Sequence, residues 1–299
     1  MASTWFIGDI HGEIQLLDRL LEQVGAYGPE QTVFLGDYVD RGPHAREVLD
    51  RLMNLDVPHE CLLGNHEVMM LNALEDRGYG YSPMELWYRN GAEATLYSFG
   101  SSSFFSFRSD VPEKYLDFLR SLKPAFLVDL GSGRKVLATH AGVSPAIPLA
   151  DQLAMQNHRD HNAYLLNRHL EPDDSFLWSR EGFFHSSPDL WSGCVVVHGH
   201  TPVPKMQRFA LANGLSQFHF VEDDLGMRRT RRENRLVSVD IDSGSTLSGR
   251  LTALGFFPES GHDLPSARMK SITVTREEVF PRDLGLVSWN RPGGDAVRH

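Results

Sequence analysis

Six short apolar runs, each ending in the same kind of polar residue, constrain this chain more tightly than any bulk property. TWFIGDIHG, TVFLGDYVDRG, HECLLGNHE, KVLATHAG, CVVVHGHT and RLVSVDIDSG start at positions 4, 32, 59, 135, 194 and 235. Each reads as a buried strand that runs into a polar loop. Helical spacing fills several of the gaps: Ile14, Leu17, Leu20, Leu21 and Val24 repeat on one face, and Gly25 supplies a stop. Ala45–Leu55 and Glu113–Leu122 give weaker versions, the second closing near Pro124. Strand, helix, strand at this rhythm predicts an α/β fold. In such sheets ligands bind beyond the carboxyl ends of the strands, and that is where the Asp, Asn and His residues fall.

Taken together, those strand ends form a ligand inventory: Asp9, His11, Asp37, Asn65, His66, His140, His198 and His200. Carboxylate, imidazole and one amide oxygen suit borderline divalent ions such as manganese, iron or zinc; thiolate-rich zinc sites and all-oxygen calcium sites are not on offer. One carboxylate can bridge two ions about 3.5–4 Å apart, as two-metal phosphoesterases require. Gly8, Gly36, Gly64 and Gly199 each precede a candidate ligand, where a side chain would crowd the turn off the strand.

Bulk properties narrow the partners. A formal charge of −10 argues against general nucleic-acid binding or an anionic membrane surface, since diffuse phosphate binding needs a basic face. No apolar run approaches the length of a membrane span, and the N-terminus lacks the regions of a signal peptide. Cys61 and Cys194 both lie in apolar runs and read as buried free thiols. The expected location is the cytoplasm. No interdomain linker stands out, so a single domain over 1–299 is expected, with a motif core of about 4–254 and an extension of about 255–299. That extension holds one strand-like piece, SITVTREEV, and a Pro/Gly-rich end. Residues 76–112 read as an insertion above the strand ends, and 205–235 carry the basic run MRRTRREN, read as a solvated loop.

The motifs GDIHG, GDYVDRG, GNHE, THAG and GHT, in this order, resemble the phosphoprotein-phosphatase family of metallophosphoesterases, particularly its bacterial members. LWSRE at 177–181, NGAEATLYSFG at 90–100 and DIDSGSTLSGRLTAL at 240–254 support the resemblance, which spans roughly 4–254. It implies a four-layer αββα sandwich with a dimetal site at the C-terminal ends of the strands. It also implies two divalent ions, with manganese expected and iron or zinc also suited. Asp9 and His11 then look like ligands of the first ion, Asp37 like the bridge, and Asn65, His140 and His200 like ligands of the second. His66 matches the family's general acid, oriented by Asp40. Arg41 and Arg180 match residues that hold phosphate oxygens, with Asn65 beside them.

The implied reaction is hydrolysis of phosphate monoesters by a metal-bridging hydroxide, with a phosphorylated protein or a small phosphate ester as substrate. Two alternatives stand beside the protein-phosphatase reading. One is a symmetrical dinucleoside polyphosphate (diadenosine tetraphosphate) hydrolase, although Asp40 and Glu67 match the protein-phosphatase motifs. The other is an inactive, phosphate-binding regulatory relative, although every ligand and the acid histidine are retained. His198 reads as a strand or supporting histidine, and Asp240 and Asp242 as a turn behind the site. His158 and His161 read as a solvated helix face. Trp87, Tyr88 and Arg89 either line an entrance or pack the insertion.

Overall fold

In the computed structural model the described residues are 3–75, 82–180, 183, 191, 193–203, 219–222, 224–232, 235–262 and 265–289. The six apolar runs form the expected strands: β1 (Thr4–Ile7), β2 (Gln31–Phe34), β3 (His59–Cys61), β5 (Lys135–Thr139), β6 (Cys194–His198) and β9 (Arg235–Asp240). Adding β4 (Ala125–Asp129), β7 (His219–Glu222), β8 (Arg228–Arg232), β10 (Leu251–Glu259), β11 (Ser266–Val274) and β12 (Val279–Ser288) gives two six-stranded mixed sheets. Their orders are β12-β11-β10-β1-β2-β3 and β4-β5-β6-β9-β8-β7. β1, β2 and β3 are parallel in the first sheet, and β5, β6 and β9 in the second.

Side-chain alternation decides which layer each residue joins. Phe6, Val33 and Leu35 of the first sheet meet Val136, Ala138, Val195 and Val197 of the second in an inter-sheet core. Their neighbours Trp5, Ile7 and Phe34 face the opposite way, toward helices α1 (Ile14–Gly25) and α2 (Ala45–Met53). Leu137 and Val196 turn outward in the second sheet, where Leu149 and Leu153 of helix 149–154 cover them. Both faces of the central strands are thereby buried in an αββα stack, which is why those strands read as continuous apolar runs, while the edge strand β12 stays partly exposed.

Helix α3 (Asn65–Glu75) leaves the end of β3 and is buried on almost every side. Around it pack α4 (Pro83–Arg89), α5 (Ala92–Ser98), α6 (Phe104–Asp110), α7 (Glu113–Ser121) and, further along the chain, helix 158–168. The insertion expected over 76–112 is thus a helical cap beside the strand ends, with 76–81 outside the described residues. Two expectations change. The segment from 255 holds more than one strand: β10, β11 and β12 form an antiparallel meander that extends the first sheet from β1, and the Pro/Gly-rich end at 290–299 lies outside the described residues. The basic run is not a loop either. Arg228–Arg232 is a strand paired between β7 and β9, and Arg228 is fully buried with Glu222 as an ion-pair partner. Among the described residues no helix is long and apolar enough to cross a membrane.

Candidate metal centre

Loops leaving β1, β2, β3, β5 and β6 converge at one end of the two sheets, where 8–13, 35–42, 62–66, 140–142 and 199–201 lie together. The turns are sharp. Seven non-glycine residues take positive φ among those described, and five of them are His11, Asp37, Asp40, Arg41 and His200. Such backbone is sparsely populated and persists where surrounding bonds over-determine it. Here Ile10 and His11 donate their N–H groups to the carbonyl of Asp37, and Gly12 donates to that of Tyr38. Close approach also explains two glycines. A Cβ at Gly199 would lie 2.0 Å from Asp9 Oδ1, and one at Gly64 would lie 2.3 Å from Asp37 Oδ1.

Asp37 is the hub. Its Oδ2 lies 3.4 Å from His11 Nε2, while its Oδ1 lies 3.3 Å from His140 Nε2. The carboxylate therefore faces two groups, His11–Asp37–His66 and Asp37–His140–His200, each with its donor atoms within 4.8 Å of one another. Asn65 joins the second: its Oδ1 is 2.9 Å from His140 Nε2 and 3.0 Å from His200 Nδ1. Asp9 belongs to neither group. Its carboxylate accepts from the backbone N–H of His200 at 3.0 Å. Burial, then Asp242, Asp37 and Asp240 raise its pKa well above the usual carboxylate range.

The donor set fits cations. The Nδ1 of His140 donates to the Leu35 carbonyl at 2.9 Å, so its Nε2 presents a lone pair toward Asn65 Oδ1, Asp37 Oδ1 and His200 Nδ1, and one hydrogen on His200 Nδ1 serves at most one of these acceptors well. Acceptors facing acceptors in a buried pocket are unfavourable without a positive charge between them. His11 repeats the device: Nδ1 donates to the Val39 carbonyl, leaving Nε2 toward the site. His200 Nε2 is buried with no hydrogen-bond partner. Burial holds the pKa of His11, His140 and His200 below the ordinary histidine range, which keeps them neutral. Neutral imidazole is the form that ligates metal.

Beside this set, His66 donates from Nδ1 to Asp40 Oδ2 at 2.7 Å, both side chains being fully buried. Burial works against charge on His66, but Asp37 and the Asp40 hydrogen bond outweigh it and hold its pKa above the ordinary value. Arg41 spans the opening, donating to His11 Nε2 at 2.7 Å and to His66 Nε2 at 2.8 Å. Arg180 lies exposed at the mouth and donates to Thr201 Oγ1 at 3.2 Å. The described structure thus brings His11, Asp37, Asp40, Arg41, Asn65, His66, His140 and His200 together, with Asp9 and Arg180 at the margin.

Three residues with large parts here were not singled out as site residues from sequence. Glu67 accepts backbone N–H groups from Asp37, Tyr38 and Gly64 within 2.9 Å and so pins the loop that carries Asp37 and Asp40. Trp87 Nε1 and Thr95 Oγ1 donate to the Asp40 carboxylate at 2.9 and 2.7 Å. Trp87 is therefore neither an entrance wall nor mere packing. Glu67 follows His66 directly, so its place in GNHE was a signal; Trp87 was named only as an entrance or packing residue and Thr95 lies in NGAEATLYSFG, but nothing in their spacing pointed to Asp40. Asp240 and Asp242 are buried behind Asp9, and the Asp242 carboxylate accepts from the Gly244 N–H. His198 is buried against Phe183, as expected for a strand residue. His158 and His161 are buried, each 1% exposed, so they are not a solvated face.

The model of the calcineurin-like phosphoesterase family matches residues 2–237. A symmetrical bis(5'-nucleosyl)-tetraphosphatase of Aliivibrio salmonicida is 28% identical over 190 residues, covering 63% of this chain and 59% of that protein. Serine/threonine-protein phosphatase PP1-1 of Saccharomyces cerevisiae is 31% identical over 151 residues, covering 49% of this chain and 40% of its own length. Serine/threonine-protein phosphatase 2 of Escherichia coli is 43% identical over 72 residues, 24% of this chain and 32% of that protein. The chain spans about half the length of the curated relatives it matches.

Proposed function

Because the chain belongs to the calcineurin-like phosphoesterase family, we propose that it is a divalent-metal-dependent phosphoesterase hydrolysing phosphate monoesters. The observation that carries this is the Asp37 carboxylate, which turns one oxygen toward His11 and the other toward His140. In this reading Asp9, His11 and Asp37 hold one ion, and Asp37, Asn65, His140 and His200 hold the other. Asp9 reaches the site through its carboxylate, whose repulsion by Asp37, Asp240 and Asp242 a cation would relieve. Manganese is the ion we expect, given carboxylate, imidazole and amide donors without thiolate. When bound, such a pair supplies Lewis-acid stabilisation of phosphoryl oxygens and lowers the pKa of water.

The remaining work falls to the chain's own side chains. Arg41 and Arg180 present guanidinium groups at the opening, suited to the equatorial oxygens of a phosphoryl group. Arg41 now donates to His66 Nε2; an anionic ester draws the guanidinium away and frees that nitrogen to carry a proton. With Arg41 turned to the ester, His66 Nε2 takes up a proton from solvent, which Asp37 and the Asp40 hydrogen bond favour against burial, and passes it to the leaving oxygen. Asp40 fixes the ring, and Trp87 and Thr95 fix Asp40. Two free cysteines agree with a reducing, cytoplasmic setting.

The substrate is a phosphoprotein or a small phosphate ester. The second reading, a dinucleoside polyphosphate, is supported by the similarity to the symmetrical bis(5'-nucleosyl)-tetraphosphatase of Aliivibrio salmonicida. Side-by-side turnover of a phosphopeptide, p-nitrophenyl phosphate and diadenosine tetraphosphate with manganese tests the reading. Asp37→Asn is expected to lose turnover on whichever substrate is used. Undiminished turnover in that variant would sink the proposal.

A further inference from the structure

Two consecutive residues at the candidate metal centre, Asp40 and Arg41, both take φ of +67°. Gly42 donates its N–H to the Asp40 carbonyl at 2.7 Å, which closes a three-residue turn with Arg41 at its centre. A tight turn of this hand is rare and strained. Adjacent non-glycine residues at positive φ persist only where outside bonds hold them. Here the corner between α4 and α5 supplies those bonds. The Gly91 carbonyl accepts from the Arg41 N–H at 3.2 Å. Thr95 Oγ1, about one helical turn further on, accepts from the Asp40 N–H at 2.8 Å.

The corner is built for close approach. Asn90 and Gly91 close α4 by donating to the carbonyls of Trp87 and Tyr88, and Gly91 then turns the chain into α5 at φ +102°. Its bare Cα faces Arg41. A Cβ there would lie 3.0 Å from Arg41 Cγ, 3.1 Å from its backbone nitrogen and 3.3 Å from its Cα. Any side chain at 91 therefore pushes on the residue whose guanidinium reaches the candidate metal centre. Beyond Cγ that guanidinium donates to His11 Nε2 and His66 Nε2 at 2.7 and 2.8 Å. Its aim depends on where Cγ stands.

We propose that Gly91 is a positioning residue for phosphate binding: its carbonyl fixes the Arg41 turn, and its missing side chain leaves Arg41 the path to the phosphoryl oxygens. The inference rests on the phosphoesterase reading in taking Arg41 to hold phosphate. Trp87 and Thr95, on either side of Gly91 in the chain, act on Asp40 and through His66 on the leaving group. Gly91 acts on Arg41 and through it on the anion. One helical corner thus serves both halves of the reaction, which gives NGAEATLYSFG, residues 90–100, a physical task. A misplacement of about 1 Å can cost about 100-fold. The few tenths of an ångström that a Cβ at 91 demands should weaken phosphate binding about tenfold, half that cost on a logarithmic scale.

The test uses the full chain loaded with manganese and takes inorganic phosphate as the probe, by titration calorimetry, so that binding is read without turnover. Gly91→Ala is expected to raise the phosphate Kd about tenfold while metal content stays at the wild-type level. Alanine at φ +102° is itself strained, so Gly91→Asn is measured beside it. Asparagine tolerates left-handed backbone but still brings a Cβ, so it should lose the same affinity with a smaller fall in Tm. In an Arg41→Ala background, adding Gly91→Ala should change the Kd less than about twofold, because the group it displaces is gone. Wild-type affinity in Gly91→Asn, a tenfold loss that persists without Arg41, or loss of metal from Gly91→Ala would each overturn the proposal. Turnover of p-nitrophenyl phosphate is measured in parallel. A wild type that binds phosphate but turns over no ester counts against the phosphoesterase reading and leaves the coupling of Gly91 to Arg41 to the phosphate result.

Discussion

Asp40 shows how much one buried carboxylate can organise. It accepts from His66, Trp87 and Thr95 and is itself fully buried, so its charge is satisfied by three donors rather than by water. His66→Ala should retain its metals yet lose about 10²–10⁴-fold in kcat on alkyl phosphates, the range of general acid catalysis. Activated aryl phosphates need little protonation and should lose far less; equal losses on both would contradict the role. Thr95→Val removes one donor to Asp40 and the acceptor of its N–H. A loss of about 1–1.5 kcal/mol, near tenfold in kcat with KM almost unchanged, is expected from steady-state kinetics. At this scale the candidate ligands were legible because each stands where an apolar run stops. Trp87 and Thr95 were not: they lie 47 and 55 residues from Asp40, and only the packing of the helical cap brings them there.

Between strand and helix, the device that matters is the tight, glycine-lined exit. Gly199 ends its strand against Asp9 Oδ1, where an alanine Cβ would sit at 2.0 Å. Gly199→Ala should destabilise the protein by about 1–3 kcal/mol in denaturant unfolding, as overpacking does, and lower the metal bound per chain. Wild-type metal content in that variant would argue that Asp9 is no ligand. A second tie joins the cap to the rest. Glu75 of α3 meets Arg159, His158 and Arg120. Burial opposes its charge, but the Arg159 and His158 bonds outweigh that and hold its pKa near about 2, below the ordinary 4.5. Folding thus favours the carboxylate, so its contribution is complete above about pH 4.5 and is lost as pH falls toward 2. Glu75→Gln should flatten the acid limb of a stability-versus-pH curve; an unchanged limb would remove Glu75 as a source. Helices α1, α2 and α7 were readable from spacing, within a residue or two of their observed ends. Strand β8 and the β10–β12 meander, apart from SITVTREEV, were not: Arg228 is buried in an ion pair with Glu222 and Arg268 pairs with Glu259, so charged residues occupy strand positions and mask the alternation.

For the whole molecule, the two sheets share one inter-sheet core, and the loops of both supply the candidate ligands. We propose that the chain is one cooperative unit and that metal binding and folding are linked through it. A ligand at 100 times its Kd adds about 2.7 kcal/mol, which for 299 residues corresponds to a rise in Tm of about 4 °C. Calorimetry with and without manganese should show that rise in a single transition, and two separate transitions would deny the unity. The most direct measurement is elemental analysis of the full chain after manganese loading and exhaustive desalting, alongside Asp37→Asn. Close to two ions per chain, falling to one or none in the variant, is the expected result. Retention of no divalent metal by the wild type, or full retention by Asp37→Asn, would contradict a binuclear centre built on that carboxylate.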